Sequence, residues 1–180
     1  MRSTDKVKEF HKLFEQPIIS IHEIESRDTR QLRIKLLFEE LTELAEASDV
    51  MRTFCNLCTK VLKQKNDYYE NDGDKVNFVE ELDAICDIQY VLDGKKLTSG
   101  LHEVFDEAFD IVHNNNMTKA HTSPEHAAKT LFHNKVMNPN EWRVDERDGK
   151  YLVFNADNKL TKPWDHKKVD LSHLLPDFKK

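Results

Sequence analysis

Two stretches of this sequence place carboxylates at the spacing of one helical turn. The first is Glu39-Glu40-Leu-Thr-Glu43, and the second is Glu80-Glu-Leu-Asp83. Residues three and four apart are neighbours on a helix, so each stretch would present its acids together. Mg²⁺ takes oxygen ligands and keeps several waters, so a few carboxylates and the phosphates of a substrate suffice to bind it. The spacing therefore predicts a divalent-metal site with these two segments as its walls.

The predicted metal ligands are two acids from each segment, namely Glu40, Glu43, Glu80 and Asp83. Glu39 and Asp87 stand next to this set and are candidates to bind a second ion or to position water. Mg²⁺ is the expected cofactor, with Mn²⁺ as a candidate substitute.

A solvated helix face is the commoner explanation of any single Glu-x-x-Glu. Here the acids border apolar residues on both segments, and like charges gathered between two helices repel each other unless a cation neutralises them. A di-iron carboxylate bundle would need Glu-x-x-His on two helices, whereas these positions hold Glu43 and Asp83. The residues alone leave the metal site and the solvated face both open.

Apolar periodicity predicts the helices that must position these acids. They span about residues 4–14, 28–47, 50–64, 75–92, 97–114 and 124–134. Asp28 or Thr29 is the expected cap of the second helix, Asp93-Gly94 the expected end of the fourth, and the asparagine run 114–116 the expected end of the fifth. Ser123 with Pro124 is a typical start for the sixth.

The remaining segments are predicted to be loops, a hairpin and a tail. Residues 66–74, rich in Asn, Asp and Gly, read as a loop. Two strand-like runs, 142–145 and 150–154, flank a turn that ends at Gly149 and predict a β-hairpin. We therefore expect an all-α bundle of four to five helices with a small C-terminal hairpin. It would form a single domain over 1–180, with a helical core at about 28–134 and the hairpin and tail at about 140–180.

Composition excludes several classes of protein. Charged residues make up 33% of the 180 residues and hydrophobic ones 38%, with only 4 Gly, which favours a helix-rich soluble protein. The net charge of −6 argues against a nucleic-acid polymer as a partner, and no membrane partner is expected. The polar N-terminus lacks the apolar core of a secretory signal, so we expect a cytoplasmic protein with reduced cysteines. Cys55 and Cys58 have the spacing of one half of a zinc site, but the sequence offers no second Cys/His pair at a suitable distance. Two cysteines on a helix is therefore the favoured interpretation.

These blocks resemble a known family of enzymes. The two acidic segments are similar to the EExxE…ExxD signature of the all-α nucleoside triphosphate pyrophosphohydrolases, which include MazG proteins, dimeric dUTPases and phosphoribosyl-ATP pyrophosphohydrolases. Ala108-Phe-Asp-Ile-Val-His113-Asn-Asn-Asn116-Met-Thr-Lys119 resembles the AFDEVHxSNM(S/T)K block of the phosphoribosyl-ATP pyrophosphohydrolase-like branch, and residues 158–163 resemble its GKxxKP turn. The resemblance runs from about residue 30 to 171 and implies a MazG-like helical bundle.

The resemblance also implies an activity. It is the Mg²⁺-dependent hydrolysis of a nucleoside triphosphate, or a phosphoribosyl-ATP-like nucleotide, between the α and β phosphates, which gives a monophosphate and pyrophosphate. By position, Glu39 and Glu40 would be catalytic, with their division of roles left open. Asn116 and Lys119 would bind substrate, with His113 as a further candidate. Family members assemble as dimers or tetramers, so a homo-oligomer is expected.

The chain departs from the family pattern at several positions. Asn115 stands in place of a serine, Ile111 in place of an acid and Asn158 in place of a glycine, and residues 120–157 look like an insertion. These changes affect the expected substrate contacts more than the metal ligands. The alternative is a non-catalytic helical binding or assembly module that uses the acidic face for a partner. The acids at all four ligand positions favour the enzyme.

Overall fold

Helices account for most of the chain. The computed structural model describes residues 2–19, 23–64, 76–137, 142–155 and 159–175. Within these residues the elements are α1 (Ser3–Leu13), α2 (Arg27–Ala47), α3 (Met51–Gln64), α4 (Phe78–Thr98), α5 (Phe105–Met117), α6 (Pro124–Met137), β1 (Arg143–Arg147) and β2 (Lys150–Phe154). The predicted all-α fold with a C-terminal hairpin is confirmed. The predicted loop at 66–74 lies outside the described residues.

The chain divides into two compact units. One consists of Ile19–Cys86, and the other joins Met1–Ile18 to Asp87–Lys180. The boundary falls inside α4, and the single-domain organisation stays a prediction. In the described part of the chain, every helix is too short or too polar to span a bilayer.

In the unit Ile19–Cys86, α2 packs against α3. Ser26 caps α2, because its hydroxyl accepts a hydrogen bond from the backbone N–H of Thr29 at 3.2 Å. The predicted cap, Asp28 or Thr29, was therefore two or three residues too late. The rings of Phe38 and Phe54 lie 5.5 Å apart between the two helices, and Ala45 is buried.

The fourth helix is longer than predicted, and its predicted end at Asp93-Gly94 was wrong. Gly94 lies inside α4. The Asp93 carboxylate next to it accepts hydrogen bonds from Gln89 at 3.1 Å and from Lys96 at 2.5 Å, which lie before and after Gly94 in the helix. A glycine in a helix costs only about 1 kcal/mol, so these local bonds can carry the helix through it. The helix ends just before Gly100, whose φ is 69°. A glycine adopts this left-handed conformation without a Cβ penalty.

The fifth helix begins later and ends later than predicted. It starts at Phe105 rather than near Leu97, and it continues through the asparagine run to Met117. The prediction that the run stops the helix was wrong because a low helix propensity is readily overridden by tertiary contacts. One such contact joins the Asn115 amide nitrogen to His166 Nε2 at 3.5 Å.

The other unit is built around a small apolar core. Phe14, Ala120, Leu152 and Phe154 form its buried cluster, and Phe10, Leu13, Met117 and Leu160 pack against it. The hairpin pairs Arg147 with Lys150 around Asp148-Gly149, and both turn residues have positive φ, as a two-residue hairpin turn requires. This confirms the predicted hairpin. The helix α6 packs on β2 and starts at Pro124 as predicted, but it runs to Met137, past the predicted end.

Candidate active site

The acids of α2 lie on the side of the helix that faces away from α3. Phe38 and Ala45 mark the side in contact with α3. At about 100° per residue, Glu40 and Glu43 lie about 140° or more around the axis from both of them. Both carboxylates are exposed, whereas Glu39 is half-buried and pairs with Lys35 at 3.9 Å.

The acids of α4 occupy its first three turns. Asn77 caps the helix by accepting hydrogen bonds from the backbone N–H groups of Val79 and Glu80 at 3.2 and 3.4 Å. Glu80 lies in the first turn, where the helix dipole favours an acid, which gives it a structural reason independent of any metal. Glu80, Asp83 and Asp87 are all exposed.

Glu40 and Glu43 lie about one turn apart on α2, and Glu80 and Asp83 lie about one turn apart on α4. Among the described residues, no group of three or more His, Cys, Asp or Glu side chains lies close enough together to hold a metal ion. The donor chemistry nevertheless fits Mg²⁺, because Glu40, Glu43, Glu80 and Asp83 offer only hard oxygen donors at exposed positions. The metal-binding roles of these residues stay predictions.

His113 has a local partner. Its Nε2 lies 3.6 Å from a carboxylate oxygen of Glu9 on α1, and its side chain is 11% exposed. On the same two helices, Lys6 pairs with Asp110. These contacts join α1 to α5, so His113 has a structural role, and its role toward substrate stays a prediction.

Asn116 and Lys119 lie at the C-terminal end of α5, and both are half-buried. The backbone N–H of Lys119 donates to the carbonyl of Asn116 at 3.2 Å, and Lys119 Nζ lies 5.6 Å from the ring centroid of Phe10. The Lys119 ammonium is therefore within cation–π range of the Phe10 ring. Their substrate contacts stay predictions.

The tail brings to this end of α5 a residue with no role predicted from the sequence. His166 lies against Asn115, and burial together with the charges of Lys162 and Lys119 holds the pKa of His166 below its usual value. The only sequence signal for this region was the resemblance of residues 158–163 to a family turn. Nothing in the spacing links residue 115 to residue 166.

A pair of histidines, His121 and His126, connects the tail to α6. His121 is buried at 1% exposure, and its Nδ1 lies 3.2 Å from His126 Nδ1; His126 Nε2 in turn lies 2.9 Å from Asp165. With Nε2–H of His126 donating to Asp165, its Nδ1 accepts from Nδ1–H of His121. His121 Nε2 then carries no proton and is buried without a partner among the described residues.

The cysteines show no sign of a site within the described chain. Cys55, Cys58 and Cys86 are free thiols, and Cys55 and Cys86 are exposed. This agrees with the prediction that Cys55 and Cys58 are two cysteines on a helix.

The phosphoribosyl-ATP pyrophosphohydrolase family model matches residues 7–116. That span covers more than half of the chain, both acidic segments and the asparagine run. The chain belongs to this family. No curated protein and no solved structure matches it. Family membership supports a nucleotide pyrophosphohydrolase kind of activity and makes the chain a hydrolase.

Proposed function

We propose that this family member is a Mg²⁺-dependent nucleotide pyrophosphohydrolase. It would cleave a nucleoside triphosphate, or a phosphoribosyl-ATP-like nucleotide, between the α and β phosphates. The observation that carries the proposal is the family match over 7–116, because it includes every acid of the predicted ligand set. The exposure of Glu40, Glu43, Glu80 and Asp83 supports it, since a ligand must reach these carboxylates.

In this proposal, Glu40, Glu43, Glu80 and Asp83 would hold the metal ion. When bound, Mg²⁺ neutralises phosphate oxygens and lowers the pKa of a coordinated water. Because the polyphosphate and the acids are both anionic, the chain's own carboxylates would repel the substrate in the absence of a cation.

The remaining candidate residues would act on the water and the substrate. Glu39 or Glu40 accepts the proton of the attacking water, whose oxygen forms a bond to phosphorus as the bond of the α–β anhydride breaks. Lys119 contacts phosphate oxygens, and the Asn116 amide hydrogen-bonds the base or sugar.

A homo-oligomer is the second part of the proposal. Apolar side chains on several sides of α4 are exposed, for example Val79 at 76%, Tyr90 at 82% and Leu82 at 64%. Leu37 and Leu41 on α2 are exposed as well. Monomeric proteins rarely expose large apolar patches, and an isologous dimer covers the same apolar residues on both copies. A second copy of the chain is therefore the proposed partner of these faces.

The direct test of the activity is pyrophosphate release from a panel of ribo- and deoxynucleoside triphosphates and phosphoribosyl-ATP, with and without Mg²⁺. We expect at least one member to be cleaved to its monophosphate only when the metal is present. If the panel stays intact with both Mg²⁺ and Mn²⁺, the non-catalytic binding module becomes the better account.

A further inference from the structure

We propose that a groove between α6 and the tail binds the base of a nucleotide, with Lys129 pairing with its phosphate. The groove has a volume of about 550 Å³ and is lined by Ala128, Lys129, Phe132, His133 and Trp164. These residues lie beyond the family match, which ends at residue 116. For the choice of a nucleotide over another aromatic anion, the inference rests on the proposed function.

The packing of α6 turns Phe132 away from the protein interior. Ala127 and Thr130 are buried, and the amide nitrogen of Asn134 lies 3.5 Å from the Thr161 hydroxyl. These positions mark the inward side of the helix. At about 100° per residue, Phe132 lies about 140° or more around the axis from all of them. Its side chain is accordingly 72% exposed, and a ligand can reach the ring.

The tail places Trp164 in the same groove and holds its backbone there. The N–H of Trp164 donates to the buried Thr130 hydroxyl at 3.2 Å, and the preceding Pro163 is buried. The following residue, Asp165, lies 2.9 Å from His126 Nε2. Trp164 is nevertheless 46% exposed. Because the fold already fixes the backbone on both sides of the indole, a ligand does not have to order this segment on binding.

The exposed apolar surface here is small and aromatic. Among the described residues after Met117, the exposed large apolar side chains are Phe132, Val144 and Trp164, and two of these line the groove. A stable protein–protein interface uses about 20–30 residues a side, so this patch suits a small ligand better than a partner protein. A nucleobase is planar and stacks on aromatic side chains whatever its identity.

A cation at the rim of the groove favours a ligand that carries an anion. Lys129 is exposed, and it forms no ion pair within the described residues. The acids nearest to the groove in sequence have other partners: Glu125 is hydrogen-bonded by its own backbone N–H and by Ser123, and Asp165 is hydrogen-bonded to His126. The phosphate of a stacked nucleotide can therefore pair with the Lys129 ammonium, which binds phosphate as a point charge.

The test is a fluorescence titration of the full chain carrying W142F. The sequence has 2 tryptophans, so this change leaves Trp164 as the single indole. The probes are the monophosphates of adenosine, guanosine, cytidine and uridine, the matching nucleosides, and inorganic phosphate. We expect at least one monophosphate to quench Trp164, its nucleoside to bind more weakly, and phosphate alone to leave the emission unchanged.

Variants in the same background separate the two contacts. F132A should weaken binding of nucleoside and monophosphate alike by about tenfold, as loss of one base–aromatic stack does. K129A should weaken the monophosphate by about threefold, as loss of an exposed ion pair does, and should leave the nucleoside unchanged. K135A changes another exposed lysine of α6 that does not line the groove, so it is the matched control and should bind as the parent does.

Three results would overturn the groove as a nucleotide site. The first is Trp164 emission that no nucleotide changes, and the second is an F132A variant that binds as tightly as the parent. The third is emission that changes with protein concentration alone, which would assign the groove to a second copy of the chain. If triphosphates are cleaved but no monophosphate quenches Trp164, the groove fails while the proposed function stands. If monophosphates bind as expected but no triphosphate is cleaved, the proposed function fails and the groove stands.

Discussion

The acidic helices and the C-terminal segment are organised in opposite ways. In α2 and α4 nearly every apolar side chain is exposed, and so are the acids Glu40, Glu43, Glu80 and Asp83. In the segment from Ala120 to Asp165, small elements surround fully buried residues such as Leu152, Val153 and Thr130. Family motifs therefore lie on helices with little packing of their own, whereas much of the best-packed part of the chain lies outside the family match.

This contrast indicates where stability and function reside. The C-terminal segment holds itself together through β2, α6 and the anchored tail, so its residues can be positioned by the chain alone. In the proposed function, the acidic helices would bind a cation through their carboxylates and a second copy of the chain through their apolar faces. We therefore expect changes in the acidic helices to affect activity and assembly, and changes in the C-terminal segment to affect folding and substrate contacts.

The largest effect is expected from Glu43→Gln. The change keeps the size of the side chain and removes the charge that would bind Mg²⁺, so turnover should fall on the order of a thousandfold, as when one group that stabilises transition-state charge is lost. Pyrophosphate release measures it, with helix content checked by circular dichroism. Glu46→Gln, an exposed acid on the same helix, is the control and should keep its activity. Equal activity in both variants would mean that Glu43 is not a ligand.

A core change in the other region should act on stability instead. Leu152 is fully buried in the apolar cluster. The change Leu152→Ala should lower the free energy of unfolding by about 3 kcal/mol through lost burial and a cavity. Val144→Ala on the neighbouring strand, where the side chain is 39% exposed, should cost much less. Denaturant unfolding gives both values, and a small effect at Leu152 would show that this core contributes little to the fold.

The exposed face of α4 offers a test of assembly, because Ile85 is an apolar residue on its surface. Ile85→Asp places a charge where a second copy would cover an apolar side chain, so association should weaken by about 2 kcal/mol. Sedimentation measured over a range of protein concentrations would detect this. Lys95→Ala, on the same helix, should leave the assembly unchanged. A wild-type protein that stays monomeric at all concentrations would remove the need for a partner copy.

The sequence predicted local features well and tertiary ones poorly. The apolar periodicity of α2 and α3 and the Asp148-Gly149 turn gave correct elements because their causes are local. The predicted end of α4 was wrong because side-chain bonds within the helix carry it past Gly94. The predicted end of α5 was wrong because Asn115 contacts His166, which is distant in the sequence. At the candidate site, the acids could be identified from their spacing, but the contact between Asn115 and His166 could not.

The smallest effect expected is a pH dependence of the tail. Burial first, and then the charge of His126, lower the pKa of His121, while Asp165 acts in the opposite sense. The pKa of Asp165 is also lowered, and the largest cause is the hydrogen bond that its carboxylate accepts from His126. In both cases the unfolded chain binds a proton more readily than the folded one, so stability rises with pH until the unfolded pKa is passed.

The two groups act in different pH ranges. The contribution of His121 is complete above about pH 6.5. It is lost as the pH falls through its lower folded pKa, because a second proton would sit on Nε2, which is buried and has no partner among the described residues. That of Asp165 is complete above about pH 4 and is lost only in stronger acid. Hydrogen exchange at the Trp164 amide, which bonds to Thr130, should therefore quicken relative to its intrinsic rate between about pH 7.5 and about pH 5.5. His121→Gln removes the titrating group and should flatten this dependence. An unchanged slope in that variant would assign it to another residue.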